Sequence, residues 1–314
     1  MIVEIYEIQT PEEAEKCIEL GVHHLGSVLL SRGEWRDPVL REMSRLCRAS
    51  GATHTLNPLF QDAELVYQAV DYYQPGLIHF CENLTDSLGK MKELDGLLEF
   101  HSRFKERFPD VPIMRSIPVP ASGYGKDFPT LEIARNMEPG TDLFLIDTWV
   151  DREPVEGYIG ITGQVADFVL ARQLVEQSRI PVILAGGLSP ENVYGAILEV
   201  MPAGADSCTQ TNAVDEKGRP IRFQKDFHKV DRFVREAQRA EQALQARRAE
   251  MEDQLKALRA DLQDREAALP AHSVRPHQIM IIEEMEEKIA ALEERLRRFK
   301  ALEKGEKIWK KRSS

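Results

Sequence analysis

Short β-branched runs alternate with amphipathic helical stretches from residue 1 to about residue 235. Eight apolar runs with this character predict buried strands. They are Ile2–Ile8, His23–Leu30, Thr53–Asn57, Leu77–Cys81, Pro112–Ile117, Leu143–Asp147, Pro181–Ala185 and Gly204–Cys208. The helical stretches between them include Ala63–Tyr73, Asp86–Phe108, Val165–Ser178 and Pro190–Val200. Strands that are separated by helices pair in parallel through right-handed crossovers.

Eight such units within residues 1–235 match the size of a closed (β/α)8 TIM barrel. An open, doubly wound sheet is the structural alternative. That alternative lacks support because no G-x-G-x-x-G segment follows the first strand. The sequence therefore predicts an α/β fold with a TIM barrel as its first domain.

Past Val230, apolar residues recur at alternating spacings of three and four, which is typical of a coiled-coil seam. Residues 236–305 are predicted to form two helices in an antiparallel hairpin, separated at Pro270, and residues 306–314 a basic tail. The seams consist of Leu244, Met251, Leu255, Leu258, Leu262 and Leu269 on the first arm, and Ile282, Met285, Ile289, Leu292, Leu296 and Phe299 on the second. These stripes can pair with each other, with the barrel or with a second subunit. We predict a homodimer or higher homo-oligomer, since closed dimers are the commonest assemblies.

Charge and composition indicate which classes of binding partner the protein lacks. The formal net charge of −11 argues against a nucleic-acid partner, because phosphate backbones require basic surface. No apolar run approaches the roughly 20 residues needed to span a bilayer, and no secretory signal opens the chain. The four cysteines make no C-x-x-C pair. These features predict a cytoplasmic protein with reduced thiols and no membrane partner.

Two segments predict a phosphate site. TIM barrels carry their active sites at the C-terminal ends of the strands and often hold phosphate after strands seven and eight. Gly186 and Gly187 follow the seventh predicted strand, where glycine lets the backbone approach an anion. Cys208 ends the eighth predicted strand, and Thr209 follows it. The predicted ligand is therefore a phosphorylated small molecule.

These segments resemble a known family. Residues 186–193, GGLSPENV, are similar to the AGGLTPENV segment of phosphoribosylanthranilate isomerase, a barrel enzyme of tryptophan biosynthesis. The resemblance covers most of residues 1–235 and none of the hairpin. Its other matching segments are Thr10-Pro11-Glu12-Glu13-Ala14, Leu145-Ile146-Asp147-Thr148, Gly160-Ile161-Thr162-Gly163, Gly204-Ala205-Asp206 and Lys225-Asp226.

The resemblance implies roles for individual residues. The family uses an aspartate on the sixth strand as general acid, which corresponds to Asp147, and a cysteine on the first strand as general base. Tyr6 occupies the cysteine position, and a phenol with a pKa near ~10 is a poor base at neutral pH. The resemblance also implies that Gly163 lies at the substrate and that Arg36 contacts a substrate carboxylate. Because of Tyr6, it does not extend to the anthranilate reaction itself.

Strand alternation supplies further candidates. Glu4 shares a face with Tyr6, and His79 shares a face with Cys81, so these side chains are expected to converge with Asp147 at one mouth. We expect Asp147 to be the acid and the base to be one of Tyr6, Glu4 and His79. No cofactor is predicted. A divalent metal is an alternative, with His54, His79, Cys81 and Asp147 as ligands.

Three functions are compatible with these features. The first is an isomerase-like or related acid–base enzyme that acts on a phosphorylated sugar or phosphoribosyl conjugate. The second is a catalytically inactive barrel that serves as a ligand-binding or scaffold module through its helical hairpin. The third is a metal-dependent phosphosugar epimerase or lyase.

Overall fold

The computed structural model describes residues 1–33, 35–124, 127–152, 154–269 and 275–310, with side chains up to Phe299. Eight parallel strands close into a barrel in chain order. They are β1 (Ile2–Ile5), β2 (His24–Leu29), β3 (Thr53–Pro58), β4 (Leu77–Phe80), β5 (Ile113–Pro120), β6 (Leu143–Trp149), β7 (Val182–Leu184) and β8 (Gly204–Ser207). The predicted TIM barrel is therefore confirmed.

Helices alternate with these strands and cover the outside of the barrel. They are α1 (Pro11–Glu19), α2 (Pro38–Ser50), α3 (Ala63–Tyr73), α4 (Asp95–Arg107), α5 (Thr130–Met137), α6 (Phe168–Gln177), α7 (Val193–Val200), α8 (Phe227–Ala267) and α9 (Pro276–Lys310). Side-chain caps fix several helix starts. Thr10 accepts a hydrogen bond from the Glu13 amide, and Asp226 accepts from the amides of His228 and Lys229.

Two layers of apolar side chains form the core. In β1, Val3 and Ile5 point outward and pack under the helices, whereas Ile2 and, just after the strand, Tyr6 point into the barrel. The inward cluster is made of Ile2, Tyr6, Val28, Leu77, Met114, Leu143, Leu145, Ile183 and Ala185. Strand alternation therefore decides which side chains reach the barrel interior and its mouth.

The structure corrects two of the predicted elements. The first strand ends at Ile5 rather than Ile8, because Glu7 has a φ of 61° and leaves the extended conformation. The helix predicted from Asp86 begins at Asp95 instead. The Asp86 carboxylate accepts hydrogen bonds from the amides of Leu88 and Lys90, and this local turn replaces the first part of the predicted helix.

A small antiparallel hairpin after β8 has no counterpart among the predicted elements. It consists of β9 (Asn212–Val214) and β10 (Pro220–Lys225). Its outer strand is mostly exposed, but the Arg222 guanidinium is bonded to Glu7 just after β1. The hairpin therefore lies beside the mouth, where β8 meets β1.

The C-terminal helices extend the barrel. The start of α8 packs on the barrel through Val230, Phe233 and Val234, and the same helix continues to Ala267. Arg259 of α8 pairs with Glu293 of α9 at 2.6 Å, and Arg298 of α9 pairs with Glu176 of α6 at 3.6 Å. The seam residues Leu244 and Met251 of α8 and Phe299 of α9 belong to the same apolar cluster as the outward-facing side chains of the barrel strands. The two arms thus contact each other, and both seams join the outer apolar layer of the barrel. Self-association through this hairpin stays a prediction.

The predicted break at Pro270 lies outside the described residues. Residues 306–310 of the predicted basic tail continue α9, and residues 311–314 are also outside the described part. Among the helices described, each is too short or too polar to cross a lipid bilayer.

Candidate functional site

A cavity of about 800 Å³, including its opening, lies at the C-terminal mouth of the barrel. Its wall comes from the ends of β1, β2, β3, β4, β6, β7 and β8 and from the loop after β6. The structure brings nine of the sequence-predicted site residues onto this wall. They are Tyr6, His79, Cys81, Asp147, Gly163, Gly186, Gly187, Cys208 and Thr209.

Asp147 opens onto the cavity near the end of β6. Its Oδ1 accepts a hydrogen bond from the Thr148 amide at 3.0 Å. Gly160 has a φ of 107°, and a Cβ there would lie 2.3 Å from Asp147 Oδ2, so the loop after β6 approaches the carboxyl through a glycine. Burial raises the pKa of Asp147 to about 7. This carboxyl can therefore both give and take a proton near neutral pH.

Tyr6 and His79 form one hydrogen-bonded unit. The Tyr6 hydroxyl is bonded to His79 Nδ1, and His79 Nε2 lies 2.8 Å from Ser116 Oγ. Burial lowers the pKa of His79 to about 3, so the imidazole is neutral. We assign Nδ1 as the acceptor of the phenol proton and Nε2–H as the donor to Ser116. Burial also raises the pKa of Tyr6 well above its usual value, so its phenol stays protonated at neutral pH.

The Tyr6 ring has a structural requirement of its own. A Cβ on Gly26 would lie 2.5 Å from this ring, so the neighbouring strand β2 accommodates the tyrosine only through a glycine. The pair of Tyr6 and Gly26 therefore shapes the wall of the cavity on the side of β1 and β2.

Glu4 lies one layer deeper and is not part of the cavity wall. It accepts a hydrogen bond from Thr55 Oγ1 at 2.7 Å, and burial raises its pKa to about 8. This position corrects the expectation that Glu4 lies at the mouth beside Tyr6. Asp206 on β8 does line the cavity, and burial together with the Glu4 charge raises its pKa well above the usual range.

The residues predicted to hold phosphate form one corner of the cavity, here called the phosphate corner: Gly163, Gly186, Gly187, Cys208 and Thr209. All three glycines have positive φ values. A Cβ on Gly186 would lie 2.1 Å from Thr148 Oγ1, and one on Gly187 would lie 2.6 Å from the Gln164 backbone. Gln210 Nε2 donates to the Gly163 carbonyl at 3.3 Å and so links the two loops. The backbone can therefore approach a ligand closely along this corner.

Two sequence candidates lie elsewhere. Arg36 is exposed, with its guanidinium 4.6 Å over the Trp35 ring, so it does not join the cavity wall. His54 points outward from β3 toward α2, where its ring nitrogens lie 2.6 Å from Ser27 Oγ and 2.8 Å from Ser44 Oγ. Both placements correct the expectations for these residues.

The position of His54 also removes it from the alternative metal-ligand set. His79, Cys81 and Asp147 line the cavity, but His79 is bonded to Tyr6 and Ser116. Within the described residues, no three His, Cys, Asp or Glu side chains are grouped as a metal site would require. The metal-dependent alternative thus loses the ligand set on which it was based.

Two ion pairs near the site, one partly exposed and one buried, were missed from the sequence. Glu7 lines the cavity and pairs with Arg222 at 2.6 Å, although the two residues are 215 positions apart. Arg115 on β5 is fully buried and pairs with Glu82 just after β4. For the pair of Arg115 and Glu82 one indication was present in the sequence: Arg115 lies inside the apolar run Pro112–Ile117, and a buried arginine requires an acidic partner.

Comparison with known proteins gives a consistent family resemblance. The family model described as N-(5'phosphoribosyl)anthranilate (PRA) isomerase matches residues 99–251, just under half of the chain. The N-(5'-phosphoribosyl)anthranilate isomerase of Methanosarcina acetivorans is 34% identical over 132 residues, which are 40% of this chain and 51% of that protein. The enzyme of the same name from Haloferax volcanii is 39% identical over 87 residues, 28% of this chain and 37% of that protein. The chain spans about half the length of the first curated relatives it matches.

Solved structures show the same fold. The N-(5'-phosphoribosyl)anthranilate isomerase from Pyrococcus furiosus has a TM-score of 0.52 at 23% identity and covers 76% of this chain and 99% of that one. The phosphoribosyl anthranilate isomerase from Thermotoga maritima has a TM-score of 0.55 at 21% identity, with the same two coverages. The predicted resemblance to this family is thus confirmed over a segment, and the barrel is confirmed as its fold.

Proposed function

We propose that the barrel is an isomerase-like acid–base enzyme that acts on a phosphorylated sugar or phosphoribosyl conjugate. One observation carries the proposal: the Asp147 carboxyl, whose pKa is raised to about 7, shares a cavity with the glycine-rich phosphate corner. A phosphate bound at this corner leaves the sugar facing the proton-exchanging group. The name of the relatives, N-(5'-phosphoribosyl)anthranilate isomerase, supports a phosphoribosyl substrate class.

In this proposal Asp147 acts first as acid and then as base. The protonated carboxyl gives its proton to the ring oxygen of the sugar while the bond from C1 to that oxygen breaks, and a lone pair of the nitrogen or oxygen substituent on C1 forms a double bond to C1. The resulting carboxylate removes the proton from C2; the electron pair of that C–H bond forms the double bond between C1 and C2, and the pair shared between C1 and its substituent returns to the substituent. The enol then becomes the ketone when the proton of the C2 hydroxyl is replaced by one on C1. Asp147 ends protonated, as it began. A carboxyl with a pKa near neutrality suits both steps.

Asp147 is preferred over the other candidate bases on the basis of its surroundings. Tyr6 is a protonated phenol bonded to His79, and the His79 nitrogens are both occupied. Glu4 is sealed beneath the cavity wall. We therefore assign Tyr6 and His79 the role of a neutral, shape-determining wall. With no thiol at position 6 and with Arg36 outside the cavity, we propose a substrate other than phosphoribosylanthranilate.

Binding of inorganic phosphate and ribose 5-phosphate tests the proposed site. Isothermal calorimetry on the full chain is expected to show saturable binding of both ligands and no binding of ribose. Thr209→Asp places a negative charge at the phosphate corner and should weaken both affinities at least about tenfold, or about 1.4 kcal/mol. Thr209→Val is the matched control, because it keeps the backbone and adds no charge.

Thr209 is the better position for this change than Gly187. A Cβ on Gly187 would meet the Gln164 backbone at 2.6 Å, so any substitution there also disturbs the loop. Lack of phosphate binding by the unmodified chain, or equal binding by Thr209→Asp and Thr209→Val, would contradict the proposed phosphate site.

A further inference from the structure

Lys225, the last residue of β10, is a buried ammonium group that no described carboxylate contacts directly, although its charge acts to lower the pKa of the nearby Asp206 carboxyl. Its side chain is only 6% exposed. Its Nζ donates to the Cys208 carbonyl at 2.9 Å and to Asn212 Oδ1. Throughout the part of the chain with described side chains, no carboxylate lies within 4.0 Å of this ammonium. A buried lysine without a counter-ion is costly, so an arrangement that retains one points to an anion supplied from outside the fold.

The contact with Cys208 places this charge directly behind the phosphate corner. The Cys208 carbonyl accepts from Lys225 Nζ and also from Thr211 Oγ1 at 3.0 Å. In a trans peptide the carbonyl and the following N–H point in opposite directions. The Thr209 N–H therefore points away from Lys225, and Thr209 itself lines the cavity. By holding the Cys208 carbonyl, Lys225 orients a backbone donor for a ligand.

The charges around the cavity also require such a group. Its described wall contains the acidic residues Glu7, Asp147 and Asp206 but no lysine or arginine. On the same hairpin, Arg222 is already paired with Glu7, and Arg219 with Asp215. A phosphate dianion would thus meet backbone amides but no cation on the described wall. Lys225 is a cation directly behind this wall that no described carboxylate contacts, and a buried charge is screened little by salt.

We propose that Lys225 is the positioning and charge-compensating residue of the phosphate corner, through its hold on the Cys208 carbonyl. This inference rests on the phosphate site proposed above and extends it in two ways. It assigns the recognition of a phosphomonoester dianion to a residue behind the cavity wall. It also assigns a role to the hairpin of β9 and β10, which places Lys225 behind the phosphate corner.

Lys225 at the end of β10 and Lys229 in the first turn of α8 provide a matched test. Lys225→Met and Lys229→Met remove the same charge, and each lysine donates to a backbone carbonyl at 2.9 Å. Lys229, however, contacts the carbonyl of Asn212, which does not line the cavity. Calorimetry with inorganic phosphate and with ribose 5-phosphate is expected to show at least a tenfold rise in Kd, about 1.4 kcal/mol, for Lys225→Met. Lys229→Met should leave Kd within about twofold.

Two further variants separate charge from fold. Lys225→Gln keeps a donor for the Cys208 carbonyl without the charge, and Lys225→Arg keeps both. Arg should restore part of the affinity, Gln less of it, and circular dichroism should show that the variants are folded. If Lys225→Met fails to fold, Lys225→Gln against Lys229→Gln carries the same comparison.

The outcomes distinguish this inference from the proposed function. If the unmodified chain binds phosphate and the Lys225 variants bind it as well as the Lys229 variants do, the role of Lys225 is overturned while the site stands. If the unmodified chain binds no phosphate, the proposed site itself fails.

Discussion

Asp147→Asn is expected to lower turnover by about 10²–10⁴-fold and, at the same time, to stabilise the barrel above neutral pH. The amide has the size of the carboxyl and keeps the acceptor for the Thr148 amide, so the fold is retained. What it loses is the exchangeable proton. If Asp147→Asn is more stable and less active than the unmodified chain, the Asp147 carboxyl contributes to the reaction and at the same time destabilises the fold.

The pH dependence of that stabilisation follows from the raised pKa. Burial raises the pKa of Asp147 from 3.8 to about 7, so the folded chain binds this proton more tightly than the unfolded chain does. The stability gained by protonation is fully present below about pH 4 and is lost as the pH rises through about 7. Asparagine never ionises, so its advantage grows over the same range. Three pKa units correspond to at most about 4 kcal/mol, and partial exposure on the cavity reduces this to about 1–3 kcal/mol.

Urea denaturation at pH 5 and at pH 8 measures the free energy of unfolding of Asp147→Asn and of the unmodified chain without any substrate. Turnover is measured with a compound that a screen of phosphoribosyl and phosphosugar compounds shows to be converted. Glu4→Gln is the control, since burial also raises the pKa of Glu4, to about 8, but Glu4 lies outside the cavity wall. It should show the same pH-dependent stabilisation and retain turnover. Unchanged turnover in Asp147→Asn would contradict the assignment of this residue.

Glu82→Ala is expected to destabilise the fold by about 3–5 kcal/mol. Glu82 pairs with Arg115, whose side chain is completely buried, and Arg115 Nη2 also donates to the Glu82 carbonyl. The Arg115 Nε already has no hydrogen-bond partner in the described chain. Removing the carboxylate therefore leaves a buried guanidinium without its counter-charge. Glu82 is adjacent to Cys81 in the cavity wall, so the pair also supports the site.

An exposed ion pair supplies the comparison. Arg107 and Asp71 lie 3.5 Å apart with side chains 49% and 59% exposed, so Asp71→Ala should cost less than about 1 kcal/mol. Glu82→Gln keeps an acceptor for Arg115 and should fall between the two. All three free energies of unfolding come from urea denaturation at pH 7. A loss for Glu82→Ala no larger than that for Asp71→Ala would show that the buried pair contributes little.

The barrel could be predicted because its strands and helices are locally encoded. β-branched runs, Gly21 after the first helix and the caps Thr10 and Asp226 all specify elements within a few residues of themselves. The phosphate corner was predictable for the same reason, since Gly186 and Gly187 combine a strand end with a conformation that favours glycine. Asp147 followed from the family resemblance and from its place at a strand end.

The remaining features depend on contacts between distant residues. The hairpin of β9 and β10 is short, and its second strand is mostly exposed. Its sequence therefore shows no alternation of apolar and polar residues from which a strand could be predicted. The pairs of Glu7 with Arg222 and of Lys225 with Cys208 leave no local pattern. His54 was misplaced because a strand buried on both faces does not show which face is inward, and a shift of one residue exchanges the faces.

A crystal structure with ribose 5-phosphate bound at pH 7 tests the central claim most directly. The phosphate is expected at Gly163, Gly186, Gly187 and Thr209, with Lys225 still bonded to the Cys208 carbonyl and with the sugar turned toward Asp147. A phosphate bound elsewhere on the barrel, or a sugar turned away from Asp147, would contradict that claim.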